Sequence, residues 1–176
     1  MTIEEFKTAG YHDLTYPHRE ILLSYITKYQ PESVLDVGCG SSADLWLIKQ
    51  AFPNCKLTGI DKTPSPLDGA TILNERLQDE LPKLQESYDV IFTNGVLMYL
   101  SHEDKAAALD EMLKRANKAI ILSEINPYEP SNTAFDYGAY FTSKGLRVDA
   151  HKIPPHIRAD TQWSHNGYIY EVVLNN

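Results

Sequence analysis

The most informative segment of this chain is an apolar run that ends in an acidic residue and two glycines, Val34-Leu35-Asp36-Val37-Gly38-Cys39-Gly40. Valine and leucine in this pattern favour a buried β-strand, and Pro31-Glu32 gives it a clear start. Helical periodicity follows at once, with Leu45, Ile48 and Phe52 on one face. The glycines therefore fall at a strand-to-helix turn, where a residue without Cβ lets the backbone approach a ligand closely.

A second predicted strand, Lys56-Leu57-Thr58-Gly59-Ile60-Asp61, ends in a carboxylate 25 residues after Asp36. This spacing fits a βαβ unit in which a carboxylate at the tip of the second strand holds the hydroxyls of a ribose. A turn or helix-capping role is the simpler alternative for Asp61. The third glycine of the dinucleotide pattern G-x-G-x-x-G is absent, since Ala43 occupies its place. The two strands therefore predict a nucleotide-type pocket without identifying the nucleotide.

These segments resemble the motifs of the class I S-adenosylmethionine-dependent methyltransferases. The first motif of that family is an acidic residue followed by G-x-G-x-G directly after the first strand. The run from Asp36 matches it except at Ser42, where the family usually has its third glycine. Residues 87–100 look like the family's fourth strand and the loop after it, and residues 119–124 look like its fifth strand. The resemblance covers roughly residues 16–174.

The resemblance implies an α/β fold. The expected architecture is a doubly wound, mostly parallel seven-stranded sheet with an antiparallel last strand and helices on both faces. Residues 168–174 would form the antiparallel strand. A chain of 176 residues suits one domain. We expect a single methyltransferase domain over residues 1–176, with an N-terminal flap over 1–15 and a Rossmann-like core over 16–174.

The resemblance also implies a site for the cofactor S-adenosylmethionine. The glycine turn would pass under the methionine part, and Asp36 would orient its ammonium group directly or through water. Asp61 would bind the ribose hydroxyls, while Lys62 and Leu77 would flank adenine. Asn94 would face the amino group and the methyl donor, an ordinary turn role being its alternative. The predicted cofactor-binding residues are Asp36, Gly38, Cys39, Gly40, Asp61, Lys62, Leu77, Gln78 and Asn94.

Methyl transfer from a sulfonium is an in-line displacement in which alignment carries most of the rate, so a general base is optional. Tyr99 is the predicted catalytic residue, because relatives often carry an aromatic residue or a histidine at this place after the fourth strand. A core aromatic at the start of a loop is the alternative. Further candidates at the crevice beyond the strand ends are Tyr11, Tyr16, Glu124, Asn126, Tyr128, His156 and Trp163. Besides Tyr99, the candidates for an optional base are His102, Glu124 and His156.

Charge and cysteine content restrict the partners of the chain. The net charge of −8 makes a nucleic-acid substrate unlikely, because such binding needs many Lys and Arg residues that neutralise phosphates. Cys39 and Cys55 have no metal-binding spacing, so we expect no metal. Residues 1–6 carry acids where a secretory signal would be basic, and no apolar run is long enough to cross a bilayer. The sequence predicts a cytoplasmic protein with no membrane segment.

Helix signals near the fourth strand support more local predictions. Ser101 and Asp104 form a pair typical of a helix N-terminus, and Asn117 would end that helix in a left-handed conformation. Its expected buried stripe is Ala106, Leu109, Leu113 and Ala116. The proline-rich residues 63–70 predict a turn where the fold usually has a helix.

The sequence therefore predicts an enzyme, an S-adenosylmethionine-dependent methyltransferase that acts on a small-molecule oxygen or nitrogen acceptor by direct in-line transfer. An acidic domain without an inserted cap favours a small acceptor over a polyanion. One alternative is a noncatalytic methyltransferase-like subunit that binds the cofactor or stabilises a partner chain. A second is a nicotinamide-dependent dehydrogenase, which shares the glycine turn and the ribose carboxylate. The sequence indicates no oligomeric state.

Overall fold

The computed structural model of the chain describes residues 17–127, 134–154 and 166–174. Seven strands form one sheet in these ranges. They are β1 (Ser33–Val37), β2 (Lys56–Asp61), β3 (Ala70–Asn74), β4 (Tyr88–Asn94), β5 (Ala116–Ile125), β6 (Val148–Lys152) and β7 (Gly167–Val173). The order across the sheet is β3-β2-β1-β4-β5-β7-β6, and β7 is antiparallel to both of its neighbours. The predicted sheet, mostly parallel with an antiparallel last strand, is confirmed.

Helices cover both faces of this sheet, as predicted. Side chains alternate along each strand, so Val34 of β1 joins one hydrophobic cluster and Leu35 joins the other. Leu22 and Leu45 bring the first two helices onto the Val34 side, and Leu109 brings a later helix onto the Leu35 side. The helices are α1 (Pro17–Thr27), α2 (Ala43–Ala51), α3 (Leu77–Glu80), α4 (His102–Arg115) and α5 (Tyr137–Ser143), and 3-10 turns span Leu81–Lys83 and Leu97–Tyr99.

The direction of chain progression reverses at β1. This strand pairs with β2 on one side and with β4 on the other, both in parallel. In open α/β sheets a ligand crevice lies outside the carboxyl ends of the strands at such a reversal. The glycine turn, Asp61 and Asn94 all follow or end strands that meet there. The topology therefore brings the predicted cofactor residues to one edge of the sheet.

Helix α4 begins as predicted and ends differently. The Ser101 hydroxyl accepts a hydrogen bond from the Asp104 N–H at 3.1 Å. The helix ends at Arg115, and Ala116 is extended because it pairs with Tyr88 in the sheet. Asn117 lies in β5, so its predicted role as a left-handed cap is wrong.

The predicted buried stripe of α4 is confirmed in part: Leu109 is buried, Ala106 and Leu113 are partly buried, and Ala116 is buried but belongs to β5. The side chains that the helix buries are Lys105, Ala108, Leu109 and Met112. Only Leu109 belongs to both sets. The helix thus also buries Lys105, a charged residue that a purely apolar pattern excludes.

The segment between β2 and β3 contains no helix, which confirms the turn predicted from its prolines. Over the three described ranges, no helix has the length and apolar character that a bilayer crossing requires. In that same part of the chain, no group of three or more His, Cys, Asp or Glu side chains is arranged to hold a metal ion. The predicted flap over residues 1–15 lies outside the described residues.

Candidate active site

The turn after β1 is tied by its backbone to the end of β2. The N–H groups of Gly38 and Cys39 both donate to the Ile60 carbonyl, at 2.7 and 3.0 Å. Gly38 has φ of +86°, and a Cβ built there would lie 2.2 Å from Cγ2 of Val96. Only glycine therefore fits between this turn and the segment that follows β4.

Ser42 occupies the place where the family usually has a third glycine. Its backbone is left-handed, with φ of 58° and ψ of 20°, and its side chain is fully buried. The hydroxyl donates to the Ser65 carbonyl at 2.6 Å, and the Ser65 N–H donates to the Gly40 carbonyl at 2.8 Å. The serine is therefore accommodated by a bond that also fastens the loop after β2 to the glycine turn.

Asp61 joins the same two segments at the tip of β2. Its Oδ2 accepts from the Gly40 N–H at 3.1 Å, and its Oδ1 accepts from the Thr63 N–H at 2.8 Å. The bond to Thr63 is the local turn contact expected of an aspartate after a strand. The half-buried carboxylate also lines the crevice. Asp61 can therefore make its turn contact and still face a ligand in the crevice.

A cavity of about 580 Å³ opens at the carboxyl ends of β1, β2 and β4. This volume falls in the range of small-molecule and cofactor sites, about 300–1,000 Å³. Seven of the nine predicted cofactor residues line it together with the predicted catalytic residue: Gly38, Gly40, Asp61, Lys62, Leu77, Gln78, Asn94 and Tyr99. Its other lining residues are Ile60, Thr63, Arg76, Gly95, Val96 and Leu100. Val96 and Leu100 carry no sequence signal beyond their place after the fourth strand.

Cys39, one of the two remaining predicted residues, does not line the cavity. Its side chain is 7% exposed, and a Cβ built on Gly59 would lie 2.7 Å from its Sγ. Burial raises the pKa of the Cys39 thiol, with Asp36 and Asp61 acting in the same direction. We therefore place this side chain in the core, between the glycine turn and β2.

Asp36, the other remaining residue, does not line the cavity, and it is 1% exposed. Its Oδ2 has no hydrogen-bond partner among the described residues. Burial raises the pKa of the Asp36 carboxyl well above its ordinary value, and the charge of Asp44 adds to the shift. Arg19 opposes it, and Asp61 adds a smaller rise. The protein therefore holds here a buried acid that favours its neutral form.

Asp44, whose charge acts on Asp36, is bonded to the tip of β4. Its Oδ2 accepts from Nδ2 of Asn94 at 2.9 Å and pairs with the Arg19 guanidinium. The amide of Asn94 is thereby oriented, and its buried Oδ1 has no partner within the described part of the chain. Asp44 lies in the first turn of α2, and no local sequence signal marks its contact with Asn94.

The predicted acceptor-side candidates have different positions. Tyr99 is 65% exposed at the edge of the cavity, so the alternative of a core aromatic is wrong. Glu124 is fully buried and bonded to backbone N–H groups, which leaves no open face for a base. Asn126 exchanges two hydrogen bonds with the Phe135 backbone, at 2.6 and 2.9 Å. His102 begins α4, and its ring centroid lies 5.6 Å from that of Phe135 in an edge-to-face arrangement. The candidates outside the described residues are Tyr11, Tyr16, Tyr128, His156 and Trp163.

Sheet order, antiparallel β7 and a cavity between the glycine turn and the ends of β2 and β4 together define the class I methyltransferase fold. Residues 35–119 match the family model described as a methyltransferase domain. The plantazolicin methyltransferase BpumL, solved in complex with SAH, superposes with a TM-score of 0.73 at 16% identity, over 96% of this chain and 89% of that one. At this identity the superposition establishes the fold.

Two curated relatives agree with that family. A trans-aconitate 2-methyltransferase of Klebsiella pneumoniae (strain 342) is 32% identical over 118 residues, which cover 64% of this chain and 47% of that protein. A malonyl-[acyl-carrier protein] O-methyltransferase of Anoxybacillus flavithermus (strain DSM 21510 / WK1) is 27% identical over 100 residues, which cover 51% and 37%. The chain thus spans about half or less of the length of these relatives. The chain is therefore similar to methyltransferases over residues 35–119, and it has the class I methyltransferase fold.

Proposed function

We propose that the chain is an enzyme that binds S-adenosylmethionine and transfers its methyl group to a small-molecule oxygen or nitrogen acceptor by direct in-line displacement. The observation that carries the proposal is the cavity at the reversal of the sheet, which gathers the glycine turn, Asp61 and Asn94 around one space of cofactor size. Each of these parts offers a group that complements one part of the cofactor.

The amino acid end of the cofactor fits the buried polar atoms beside the glycine turn. Oδ2 of Asp36 and Oδ1 of Asn94 are acceptors without a partner among the described residues. Buried polar atoms in folded proteins are nearly always paired, and an ammonium group donates up to three hydrogen bonds. Such a cation would also offset the repulsion between Asp36 and Asp44. These atoms support the proposed roles of Asp36 and Asn94.

The nucleoside end of the cofactor fits the other side of the cavity. Asp61 offers a carboxylate at the tip of β2, where a ribose is held in nucleotide-binding folds. Leu77 and Gln78 begin α3 and face the same space, and Lys62 lies next to Asp61. An apolar side chain with flanking polar groups suits the face and edge of adenine. We propose these residues as the ribose and adenine contacts.

When bound, the cofactor supplies an electrophilic methyl group, so the protein has mainly to align the acceptor with it. Tyr99 lies at the exposed edge of the cavity and is the proposed residue of this chain that contacts the acceptor. One relative is named for a small acceptor, trans-aconitate, and the other for O-methylation. The first name supports a small acceptor, and the second, whose acceptor is a malonyl group on an acyl-carrier protein, supports an oxygen nucleophile, so small oxygen acceptors are the first group to screen.

The dehydrogenase alternative is disfavoured by the sheet. Dinucleotide-binding folds have the parallel order 3-2-1-4-5-6, whereas this sheet inserts an antiparallel β7 between β5 and β6. The noncatalytic alternative differs from our proposal in turnover and not in fold. A folded protein that binds the cofactor, copurifies with a stoichiometric second chain and methylates no acceptor would favour it.

Calorimetric titration tests the cofactor directly. The purified protein is first checked by mass spectrometry for carried ligand and is then titrated with S-adenosylmethionine, S-adenosylhomocysteine and NAD. We expect micromolar binding of the first two and none of NAD. Binding of NAD alone would overturn the proposal, and so would the absence of all binding by folded protein free of ligand.

Substitution of Asp61 tests the ribose contact. Asp61→Ala removes two acceptor oxygens, and we expect S-adenosylmethionine binding to weaken by about 1–3 kcal/mol. The matched control is Asp68→Ala, because Asp68 is an exposed carboxylate in the same loop that does not line the cavity. Calorimetry on both variants gives the comparison. Equal affinities of wild type and folded Asp61→Ala would remove Asp61 from the site.

A further inference from the structure

Glu124 near the end of β5 is a buried carboxylate surrounded by donors from the segment after β4. Its Oε1 accepts from the Thr93 hydroxyl at 2.7 Å and from the N–H groups of Val96 and Leu97, both at 3.1 Å. Its Oε2 accepts from the Met98 N–H at 3.2 Å. One side chain thus satisfies three successive backbone donors at the start of a 3-10 turn, where no strand partner is available to them.

The energetics of this arrangement favour a fixed geometry. Burial raises the pKa of Glu124, and the hydrogen bonds from Thr93 and the three N–H groups oppose that rise. Hydrogen bonds to an ionised acceptor are stronger than neutral ones, and a buried donor left without a partner is costly. The segment after β4 therefore loses several bonds together when it moves away from Glu124.

The same segment forms one wall of the cavity. Gly95, Val96, Tyr99 and Leu100 all line it, whereas Glu124 lies behind them and does not. The Val96 side chain also contacts the glycine turn, since its Cγ atoms lie 2.2 and 2.7 Å from a Cβ built on Gly38. The distance between the two sides of the cavity thus depends on where Glu124 holds Val96.

We propose that Glu124 is a positioning residue: its carboxylate fixes the backbone of residues 96–98 and thereby sets the shape of the cofactor cleft and the place of Tyr99. The inference rests on the function proposed above for the cleft, but the hydrogen bonds on which it depends belong to the protein alone. Glu124 does not touch the ligand and is not a base, because its oxygens face the backbone and are shielded from solvent.

Two matched variants separate positioning from general stability. Glu124→Gln removes the charge and places an amide among backbone donors, whereas Glu171→Gln removes a comparably buried carboxylate that bonds Lys28 and Tyr29 away from the cleft. In ligand-free protein, NMR hydrogen exchange should accelerate by about tenfold or more at the Val96–Met98 amides of the first variant only. The dissociation constant for S-adenosylhomocysteine should likewise rise about tenfold in the first variant and stay unchanged in the second.

The outcomes are distinguishable. Wild-type exchange rates at these amides in Glu124→Gln would overturn the proposal, and so would faster exchange with an unchanged dissociation constant. Failure of the wild type to bind S-adenosylhomocysteine would refute the proposed function, while exchange in ligand-free protein would still decide whether Glu124 holds the segment. Should Glu124→Gln not fold, Thr93→Val removes one of the four donors. It should accelerate the same amides to a smaller extent, and unchanged rates there would overturn the inference.

Discussion

Ser42 is a residue held in a conformation that its side chain disfavours. A left-handed backbone costs a non-glycine residue about 1–2 kcal/mol. Its bond of 2.6 Å to the Ser65 carbonyl opposes that cost, since a buried hydrogen bond contributes about 1 kcal/mol. The two contributions are of similar size, which explains how serine can take the place that glycine has in the family.

Two substitutions separate these contributions. Ser42→Gly relieves the backbone strain and loses the bond, so we expect its free energy of unfolding to stay within about 1 kcal/mol of wild type. Ser42→Ala keeps the strain, loses the bond and leaves the Ser65 carbonyl unpaired, so it should lose about 1–3 kcal/mol. Urea denaturation measures both values. An alanine variant as stable as wild type would show that the bond to Ser65 contributes nothing.

At this scale the sequence predicted which residues line the cavity better than it predicted the orientation of individual side chains. Positions such as Asp61, Lys62 and Asn94 follow from spacing, because the carboxyl ends of parallel strands meet at one edge. Cys39 faces the core because Gly59 on the neighbouring strand leaves room for its sulfur. Glu124 is buried because the loop after β4 closes over it. Both orientations depend on residues distant in the chain, which no local pattern shows.

Between elements, the decisive contact joins the glycine turn to the segment after β4. Gly38 follows β1 and Val96 follows β4, and the close approach between them limits the size of the side chain at either position. Helix α1 adds a second link, because its Arg19 pairs with Asp44 of α2, which in turn accepts from Asn94 at the tip of β4. The cleft is therefore assembled from elements that depend on one another.

A double-mutant cycle tests the contact between Gly38 and Val96. We expect Gly38→Ala to destabilise the protein by more than the control Gly145→Ala, which has φ of +75° and open space around its Cβ position. The control should therefore show the backbone cost alone, about 1–2 kcal/mol. Adding Val96→Ala should recover part of the Gly38→Ala loss, with a coupling of about 1 kcal/mol in urea denaturation. Strictly additive losses of unfolding free energy would mean that Gly38 and Val96 have no steric interaction.

The ends of helices and strands depend in part on contacts between distant residues, which local sequence signals do not predict. The start of α4 is local, and the Ser101 signal predicted it. Its end is set by the pairing of Ala116 with Tyr88, a contact across the sheet that overrides the cap signal of Asn117. Strand β3, whose residues are exposed or only partly buried at the edge of the sheet, was given no range from the sequence. The central strands, buried on both faces, were predicted correctly.

At the scale of the whole molecule, three carboxylates of an acidic chain, Asp36, Asp44 and Asp61, influence one another where the strands end. The chain has a net charge of −8, and Asp44 and Asp61 both raise the pKa of buried Asp36. Arg19 is the cation that opposes this rise. A ligand that carries an ammonium group would add positive charge beside these carboxylates and would reduce the repulsion between them. We therefore expect the repulsion between these carboxylates to lower the free energy of unfolding of the ligand-free protein.

The sign of the pH effect follows from the raised pKa of Asp36. A carboxyl whose folded-state pKa is raised contributes stability below its unfolded-state pKa of about 3.9 and loses that contribution as pH rises through the folded value. Asp36→Asn cannot ionise, so at neutral pH we expect it to melt at a higher temperature than wild type. The gap should close as the pH falls toward 4, about the unfolded-state value. Thermal melts of both proteins across this range check the prediction.

The same substitution should weaken the ligand while it stabilises the fold. An ammonium group favours ionised Asp36, so S-adenosylhomocysteine should bind wild type more tightly as pH rises through the raised pKa and should release protons on binding. Asp36→Asn should lose about 1–3 kcal/mol of binding and show no such release. Calorimetry in two buffers of different ionisation enthalpy measures both quantities. If the variant gains stability but binds like wild type, Asp36 is a buried acid of the core, and the ammonium contact must be assigned to Asn94 alone.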